Sequence, residues 1–337
     1  MLALVCWLIL IVIGFPALGQ RVDVRPAALE LLPDQVDSNS PAFWRDGYLS
    51  MITSTGMPLI SMGTSPFHWF ETTQVDLDRQ EHLPVWIESA WVDDDGTMLL
   101  WYHHEPSGLC PTSDLTAPKI GAAISLDGGR TIQDLGIVLE SGDPVDCSAQ
   151  NGYFGSGHGD FSVIFNHVDG YFYFFFGNYG GDAEGQGIAI ARLAHENRYE
   201  PVGNVHKYYE GSWDEPGLGG RVTPALRAKK AWQKSDTDSF WGPSIHWNTH
   251  LGKYVMLLNR ACCGPKWPQE GIYASFNADL SDPERWSQPS SILKDSGLKP
   301  GYYPQVLGAG PEETDTVAGR VVRLYIHGVS YWELVFQ

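Results

Sequence analysis

The sequence predicts an all-β chain and, within that class, a five-bladed β-propeller. Segments rich in β-branched and aromatic residues recur with Asp-Gly or Gly-Lys turns between them, and helical periodicity is hard to find after residue 30. The strand pattern also repeats, at a spacing of about 60 to 80 residues, which is the signature of propeller blades.

The repeat is visible when IESAWVDDDGTMLLWYHH (87 to 104) is set beside GDFSVIFNHVDGYFYFFFGN (159 to 178) and GPSIHWNTHLGKYVMLLNRA (242 to 261). Each unit is a strand, a tight turn, an apolar strand and a polar cluster. Third strands follow at KIGAAISL (119 to 126), QGIAIARL (186 to 193) and EGIYASF (270 to 276), and fourth strands near GIVLE (136 to 140), HKYYEG (206 to 211) and SSILK (290 to 294). YYPQVLG (302 to 308), VVRLYIHG (321 to 328) and YWELVF (331 to 336) supply another blade. GYLSMIT with MPLISMG (47 to 63) supplies a first, with the C-terminal strand available to close it. Blade cores are thus expected to begin near residues 87, 159, 242 and 302, with the N-terminal strand group as the remaining blade. A continuous apolar run such as YFYFFF (171 to 176) needs burial on both faces, which blade stacking provides.

Residues 1 to 19 are uncharged and apolar and end in the small-residue pattern Ala17-Leu18-Gly19, as in a secretion signal, although the usual basic start is missing. Residues 20 to 337 then form a single propeller domain, secreted or periplasmic and monomeric, with no membrane attachment after signal cleavage. A net charge of −18, from 40 acidic and 22 basic residues, disfavours nucleic acid and anionic lipid and suits neutral or cationic partners. The 13 Trp fit blade packing or sugar stacking. Four cysteines follow the leader. Cys110 and Cys147 lie in loops expected on one face and are expected to pair, while the adjacent Cys262 and Cys263 either form a vicinal bridge or remain thiols, with thiols slightly favoured. No CxxC or HxxxH spacing suggests a metal site, and no cofactor is demanded; a divalent cation bound in the channel is compatible with the fold.

In a propeller the loops into first strands and those joining second to third strands share one face. Glu88 and Asp160 begin first strands there, His103, Glu105, Asn178 and Arg260 end second strands, and Glu270 begins a third. Two carboxylates from separate blades are what glycoside hydrolysis needs, and Glu88 with Asp160 is the leading pair. His158 shares a side with Asp160 if the chain is extended, and is read as orienting it or touching a sugar hydroxyl. His246, inside a first strand, is a candidate proton donor if its face is the channel. Trp241, with Trp213, Trp267, Tyr302 and Tyr303, is placed to stack on a pyranose ring or to pack.

These units resemble the blade starts of five-bladed glycoside hydrolases related to families 43, 32 and 117. In those families an Asp starts the first catalytic blade, a second Asp starts the next, and a Glu acts as acid in the third. The resemblance spans roughly residues 85 to 310. It puts Glu88-Ser89 in the first place, Asp160-Phe161 in the second and Trp241-Gly242-Pro243 in the third. Glu replaces the first Asp, no Pro follows Asp160, and Trp241 stands where the acid is expected. That leaves Glu270, Glu215 or His246 to supply it, and a histidine acid would echo family 117. SLDGGRTI (125 to 132) resembles the Asp-box of sialidase-like propellers, whose role is to brace a turn, with Ile132 where Trp is preferred. The sequence therefore supports a secreted glycoside hydrolase acting on an oligo- or polysaccharide. The alternative is a non-catalytic saccharide-binding or surface-interaction propeller. Sialidase chemistry is a distant third, because only Arg192, Arg221, Arg260 and Arg323 are even remotely placed to form an arginine cluster.

Overall fold

The computed structural model describes residues 20–79, 82–294 and 302–337; the expected leader lies outside them, and no described helix is long and apolar enough to cross a membrane. The chain forms five sheets arranged as propeller blades, antiparallel except for the short edge strands Asp76–Leu77 and Val317–Ala318, with only single-turn helices among the described residues. Blade 1 is Ala42–Arg45, Tyr48–Ser54, Pro58–Ser65 and His68–Gln74. Blade 2 is Val85–Val92, Met98–His104, Lys119–Ser125 and Thr131–Leu139, extended by Asp76–Leu77. Blade 3 is His158–Asn166, Tyr171–Asn178, Gly187–Ala194, Val205–Tyr209 and Ser212–Pro216, with Leu226–Arg227 alongside its third strand. Blade 4 is Ser239–Asn248, Lys253–Ala261, Gln269–Asn277 and Ser290–Lys294, with Val317–Ala318 on its inner edge. Blade 5 is Pro304–Leu307, Val321–Ile326, Val329–Phe336 and, outermost, Val22–Leu31.

The blade starts fall where the repeat put them, but the closure differs. The C-terminal strand does not complete blade 1, which is built from four consecutive strands. Instead Val22–Leu31 completes blade 5, running from Val22 opposite Phe336 to Leu31 opposite Val329. The short first strand of blade 1, Ala42–Arg45, carries too few residues to show a period and escaped the sequence reading.

Side-chain alternation explains the long apolar runs. In Tyr171–Asn178, Phe172, Phe174 and Phe176 enter the core shared with blade 2, whereas Tyr173 and Phe175 enter the core shared with blade 4. All five rings are fully buried, so truncating one to Ala is worth about 3–5 kcal/mol. Separate clusters fill the remaining interfaces, between blades 1 and 2, 4 and 5, and 5 and 1.

The axis is filled by short polar side chains that tie one inner strand to the next. Val163 N donates to Ser89 Oγ at 2.8 Å and Ile245 N donates to Ser162 Oγ at 3.2 Å, while Ser54 Oγ, at the end of the second strand of blade 1, donates to Val85 O at 3.0 Å. Gln305 and Ser40 exchange bonds of 2.7 and 2.9 Å between blades 5 and 1. Asn39 reaches across the ring, donating to Phe161 O at 3.0 Å and to Pro243 O at 2.9 Å. Backbone groups left free at the narrow centre are satisfied in this way.

Cys110 and Cys147 are bonded, with Cα atoms 5.5 Å apart. Cys262 and Cys263 are also joined, not free thiols as expected: a cis peptide brings their Cα atoms to 3.2 Å, within reach of a vicinal bridge. In blade 2 the turn after Ser125 is braced by Asp127, whose carboxylate accepts from Thr131 N at 2.9 Å and Thr131 Oγ1 at 2.8 Å.

Candidate active site

Each first strand of blades 2, 3 and 4 contains a bulge at the same height. The register slips between Ile87 and Ser89, between Gly159 and Phe161, and between Trp241 and Ser244. Glu88, Asp160 and Gly242-Pro243 are therefore structurally equivalent, as their places in the repeat suggested. A bulge re-aims the side chain it carries. At Asp160 the backbone adopts a positive φ of 45°, a conformation a non-glycine residue holds only where its surroundings enforce it.

A cavity of about 290 Å³ opens at this end of the axis, and all five blades contribute to it. Asp37 comes from the entry to blade 1, Trp86 and Glu105 from blade 2, Asp160 from blade 3, Trp241 and Trp267 from blade 4, and Tyr302 and Tyr303 from the entry to blade 5. Asp114, Thr116, Gly152, Tyr153 and Phe154 form the wall between blades 2 and 3. Among the described residues no Lys, Arg or His lines it. Trp267 is the hub of the aromatic floor, with ring centroids 4.4 Å from Trp232, 4.8 Å from Tyr153 and 5.6 Å from Trp241. The indole N–H groups of Trp241 and Trp267 are buried without an acceptor in the protein.

Asp160 is buried at the base of this cavity. Tyr179 donates to Oδ2, and Tyr303 donates to Oδ1 at 3.1 Å. Burial pushes the Asp160 carboxyl above the usual aspartate range, against the opposing charge of His103 and the two phenol donors. Both phenols are pushed well above the usual tyrosine range, by burial and then by the charge of Asp160. Asp37 is also raised, mainly by burial, with Asp160 and Glu105 adding to the effect and His327 opposing it.

Glu88 lies behind the cavity, not in it. Its Oε2 accepts from Phe161 N at 2.7 Å, and its Oε1 lies 3.1 Å from His103 Nδ1. The other ring nitrogen of His103 lies 3.2 Å from Glu105 Oε1. Burial alone would lower the imidazole pKa, but Glu105 and Glu88 together override it and hold His103 well above the usual range. Nδ1 also receives the Asp160 amide at 3.2 Å, yet it cannot both accept there and donate to Glu88. With a carboxylate at each nitrogen, the imidazolium is the form that satisfies the greater charge. Glu88, His103 and Asp160 bring ligand-type atoms within 4.8 Å of one another. Those atoms are already committed to each other, to two phenols and to backbone amides, so the set fits a proton-bearing cluster better than a cation. The other such group, Asp238 with Cys262 and Cys263, does not fit a metal either: its sulfurs are bonded to each other and Asp238 is paired with Arg260.

Asp160, Glu105 and Trp241 thus meet in the cavity, with His103 and Glu88 directly behind them. The other candidates lie elsewhere. Glu270 pairs with Arg260 at 3.1 Å and accepts from Tyr273, and Arg260 is held by Asp238 at 2.9 Å, a self-contained cluster on blade 4. His246 shares its strand face with Val255 and packs on Phe336, inside the interface between blades 4 and 5, with neither nitrogen partnered. Burial there pushes its pKa down to about 3. His158 turns its ring onto Phe176 at 4.7 Å, because the bulge at Asp160 breaks the alternation that would have put both on one side. Asn178 donates to Gly185 O at 2.7 Å and secures a loop. Glu215 is paired with Arg221, and Trp213 packs on Arg192 and Tyr208. The sequence reading missed Asp37, Tyr179 and Tyr303's bond to Asp160. A signal for Asp37 was present: DSNSPAFWRDG repeats the acid, short strand and Asp-Gly turn of GDFSVIFNHVDG.

No model of a known protein family matches the chain, and no curated protein matches its sequence. Solved structures do match. A thermostable family-43 glycoside hydrolase superposes with a TM-score of 0.53 at 12% identity, over 91% of this chain and 90% of that one. A putative exo-β-1,3-galactanase from Bifidobacterium bifidum gives 0.53 at 12% identity, over 90% and 87%. A mutant α-L-arabinofuranosidase of Fusarium graminearum, bound to an iminosugar inhibitor, gives 0.51 at 12% identity, over 91% and 79%. At such identity the likeness is one of fold: this is a five-bladed propeller of the architecture those glycoside hydrolases use. Family 43 is represented among the three, while the resemblance to families 32 and 117 has no counterpart in them.

Proposed function

We propose that the chain is a glycoside hydrolase acting on a neutral glycan, with Asp37 and Asp160 as its catalytic carboxyls. The observation that carries this reading is a single cavity receiving acids from separate blades over an aromatic floor, with no basic side chain among its described lining residues. With the first strand of blade 1 in place, consecutive blade entries carry Asp37, Glu88 and Asp160. The family pattern of two Asp and a Glu acid then fits one blade earlier than the sequence suggested, with Asp and Glu exchanged at the second and third places. Asp37 takes the base or nucleophile position and Asp160 the acid position, where a carboxyl raised by burial suits proton donation. Glu88, at the second place, acts from behind by fixing the Phe161 amide and His103. A lining with several acids and no base among its described residues disfavours uronate or sulfated sugars on charge grounds.

The test is hydrolysis of arabino-oligosaccharides and β-1,3-galacto-oligosaccharides, chosen because the similar folds include enzymes named for these polymers. Wild type should release sugar. Asp160→Asn and Asp37→Asn should each lower kcat at least about 100-fold while remaining folded, because each deletes a group the oxocarbenium-like transition state requires. Saturable binding without turnover in wild type would favour the saccharide-binding alternative, and full activity in Asp160→Asn would remove the assignment.

A further inference from the structure

We infer that the cavity binds an amino sugar whose amine is free and protonated, an inference that rests on the hydrolase reading and names the sugar beside the neutral unit it cleaves. With Asp37 and Asp160 at the scissile bond, two further acids of the lining, Glu105 and Asp114, have no task in that reading. They stand together on one side. Glu105 directly follows the second strand of blade 2, and Asp114 lies in the wall between blades 2 and 3.

Acids that serve the fold of this chain are paired, as Asp238 is with Arg260 and Glu215 with Arg221. Asp114 is not: it is solvent-exposed, and no base among the described residues pairs with it. Glu105 has His103 Nε2 at 3.2 Å, but that imidazole is shared with Glu88 behind it. A second imidazole, His327, lies near Asp37. Acids from three elements against no lining base leave negative charge in the cavity that a neutral sugar does not answer.

The rings decide which cation answers it. Trp86 and Tyr153 line the cavity on the same side as Glu105 and Asp114, and aromatic faces beside carboxylates suit an ammonium group. A hard metal ion would ask for oxygen ligands on every side, which these rings do not supply. On the blade 4 side, Trp241 and Trp267 are 4% and 5% exposed, and their indole N–H groups have no acceptor in the protein. Hydroxyl oxygens would satisfy such donors, and a bare alkylammonium has none. Positive charge toward blade 2 and oxygen acceptors toward blade 4 together describe an amino sugar, and the cavity of about 290 Å³ has room for about one or two rings.

Tryptophan fluorescence of the whole chain reads binding without turnover, because Trp86, Trp241 and Trp267 line the cavity. The probes are the β-1,4-linked disaccharide of glucosamine, the same disaccharide with a hydroxyl in place of each amine, the corresponding galacto-configured pair, and tetramethylammonium. At low salt one amine disaccharide should bind at least about 10-fold tighter than its hydroxyl counterpart and than tetramethylammonium. The preference should shrink to about 2-fold in ~0.5 M salt, where charges are screened within a few ångströms. Asp114→Asn and Glu105→Gln should each cut it at least about 3-fold, and the double variant should abolish it. Asp94→Asn, which removes an exposed acid from the turn between the first two strands of blade 2, should leave it unchanged. Equal affinity for the amine and hydroxyl sugars, or a preference that survives the double variant, would overturn the inference even if wild type hydrolyses a neutral oligosaccharide. Equally tight tetramethylammonium would overturn it in favour of any organic cation. An amine preference in a chain that hydrolyses nothing would remove the hydrolase reading and leave the amino-sugar site standing.

Discussion

Replacing Tyr179 by Phe isolates one bond of the candidate acid. The ring packs on Phe154 and Trp232 with centroids 4.6 and 5.1 Å away, so Phe keeps the packing and loses only the hydroxyl that donates to Asp160 Oδ2. Tyr303 still holds Oδ1 at 3.1 Å, which keeps the carboxyl anchored. A hydrogen bond to a charged group is worth about 1.5–3 kcal/mol. At 1.36 kcal/mol per pKa unit, losing it should raise the Asp160 carboxyl by a further ~1–2 units, because the phenol stabilises only the ionised form. The group then stays protonated to higher pH. If Asp160 is the acid, the alkaline limb of kcat/KM should move up by about 1–2 pH units. Thermal melts supply a second readout: Tyr179→Phe should cost more at pH 8 than at pH 4, because the lost bond serves the ionised carboxyl. An unmoved limb, a limb moved down, or an equal loss of stability at both pH values would refute the reasoning.

Two further outcomes follow from burial and connectivity. Cys110 and Cys147 are 37 residues apart, and the loop-entropy relation puts the stabilisation from their bridge at about 4 kcal/mol, so Cys110→Ser/Cys147→Ser should melt markedly lower by calorimetry. His246 has its pKa depressed to about 3 in the fold, below the ordinary imidazole value of ~6.5, so the unfolded chain binds more protons between those values. Its contribution is therefore fully present above about pH 6.5 and is lost as pH falls toward 3. His246→Leu should lose less stability than wild type between pH 7 and 4.5 in urea titrations, and a parallel loss would show that the acid response arises elsewhere.

The parts of the molecule that were legible in the sequence are those governed by repetition. The blade starts near residues 87, 159 and 242 could be placed because each is followed by a tight turn and an apolar strand whose rings must be buried on both sides. Glu88 and Asp160 could be recognised as equivalent because each stands near the start of the first strand of its unit. Side-chain direction was not legible. His158 and Asp160 are two residues apart and should share a side, but the bulge at Asp160 inserts one unpaired residue and sends them apart. His246 sits in the middle of a first strand, where alternation alone cannot say whether its face meets the axis or the next blade. The phenols that grip Asp160 lie 19 and 143 residues away from it, a contact that only the closed ring creates. Asp37 was hidden by a four-residue strand, too short to announce that a blade begins there.

The pairing of Val22–Leu31 with Val329–Phe336 has a consequence for how the ring is made. In synthesis from the N-terminus, the outermost strand of blade 5 emerges before blades 1 to 4 and its partner after them. Until then the early strand has no sheet to join, and its Leu29 and Leu31 remain partly exposed even after docking. Blades 1 to 4 can each assemble from neighbouring strands as the chain emerges, but blade 5 must wait for a contact spanning nearly the whole sequence, the kind that loop-closure entropy makes slow. The same late-emerging stretch completes the cavity as well, because Tyr302 and Tyr303, which form its blade 5 side, lead into Pro304–Leu307, whose sheet partner is Val321–Ile326.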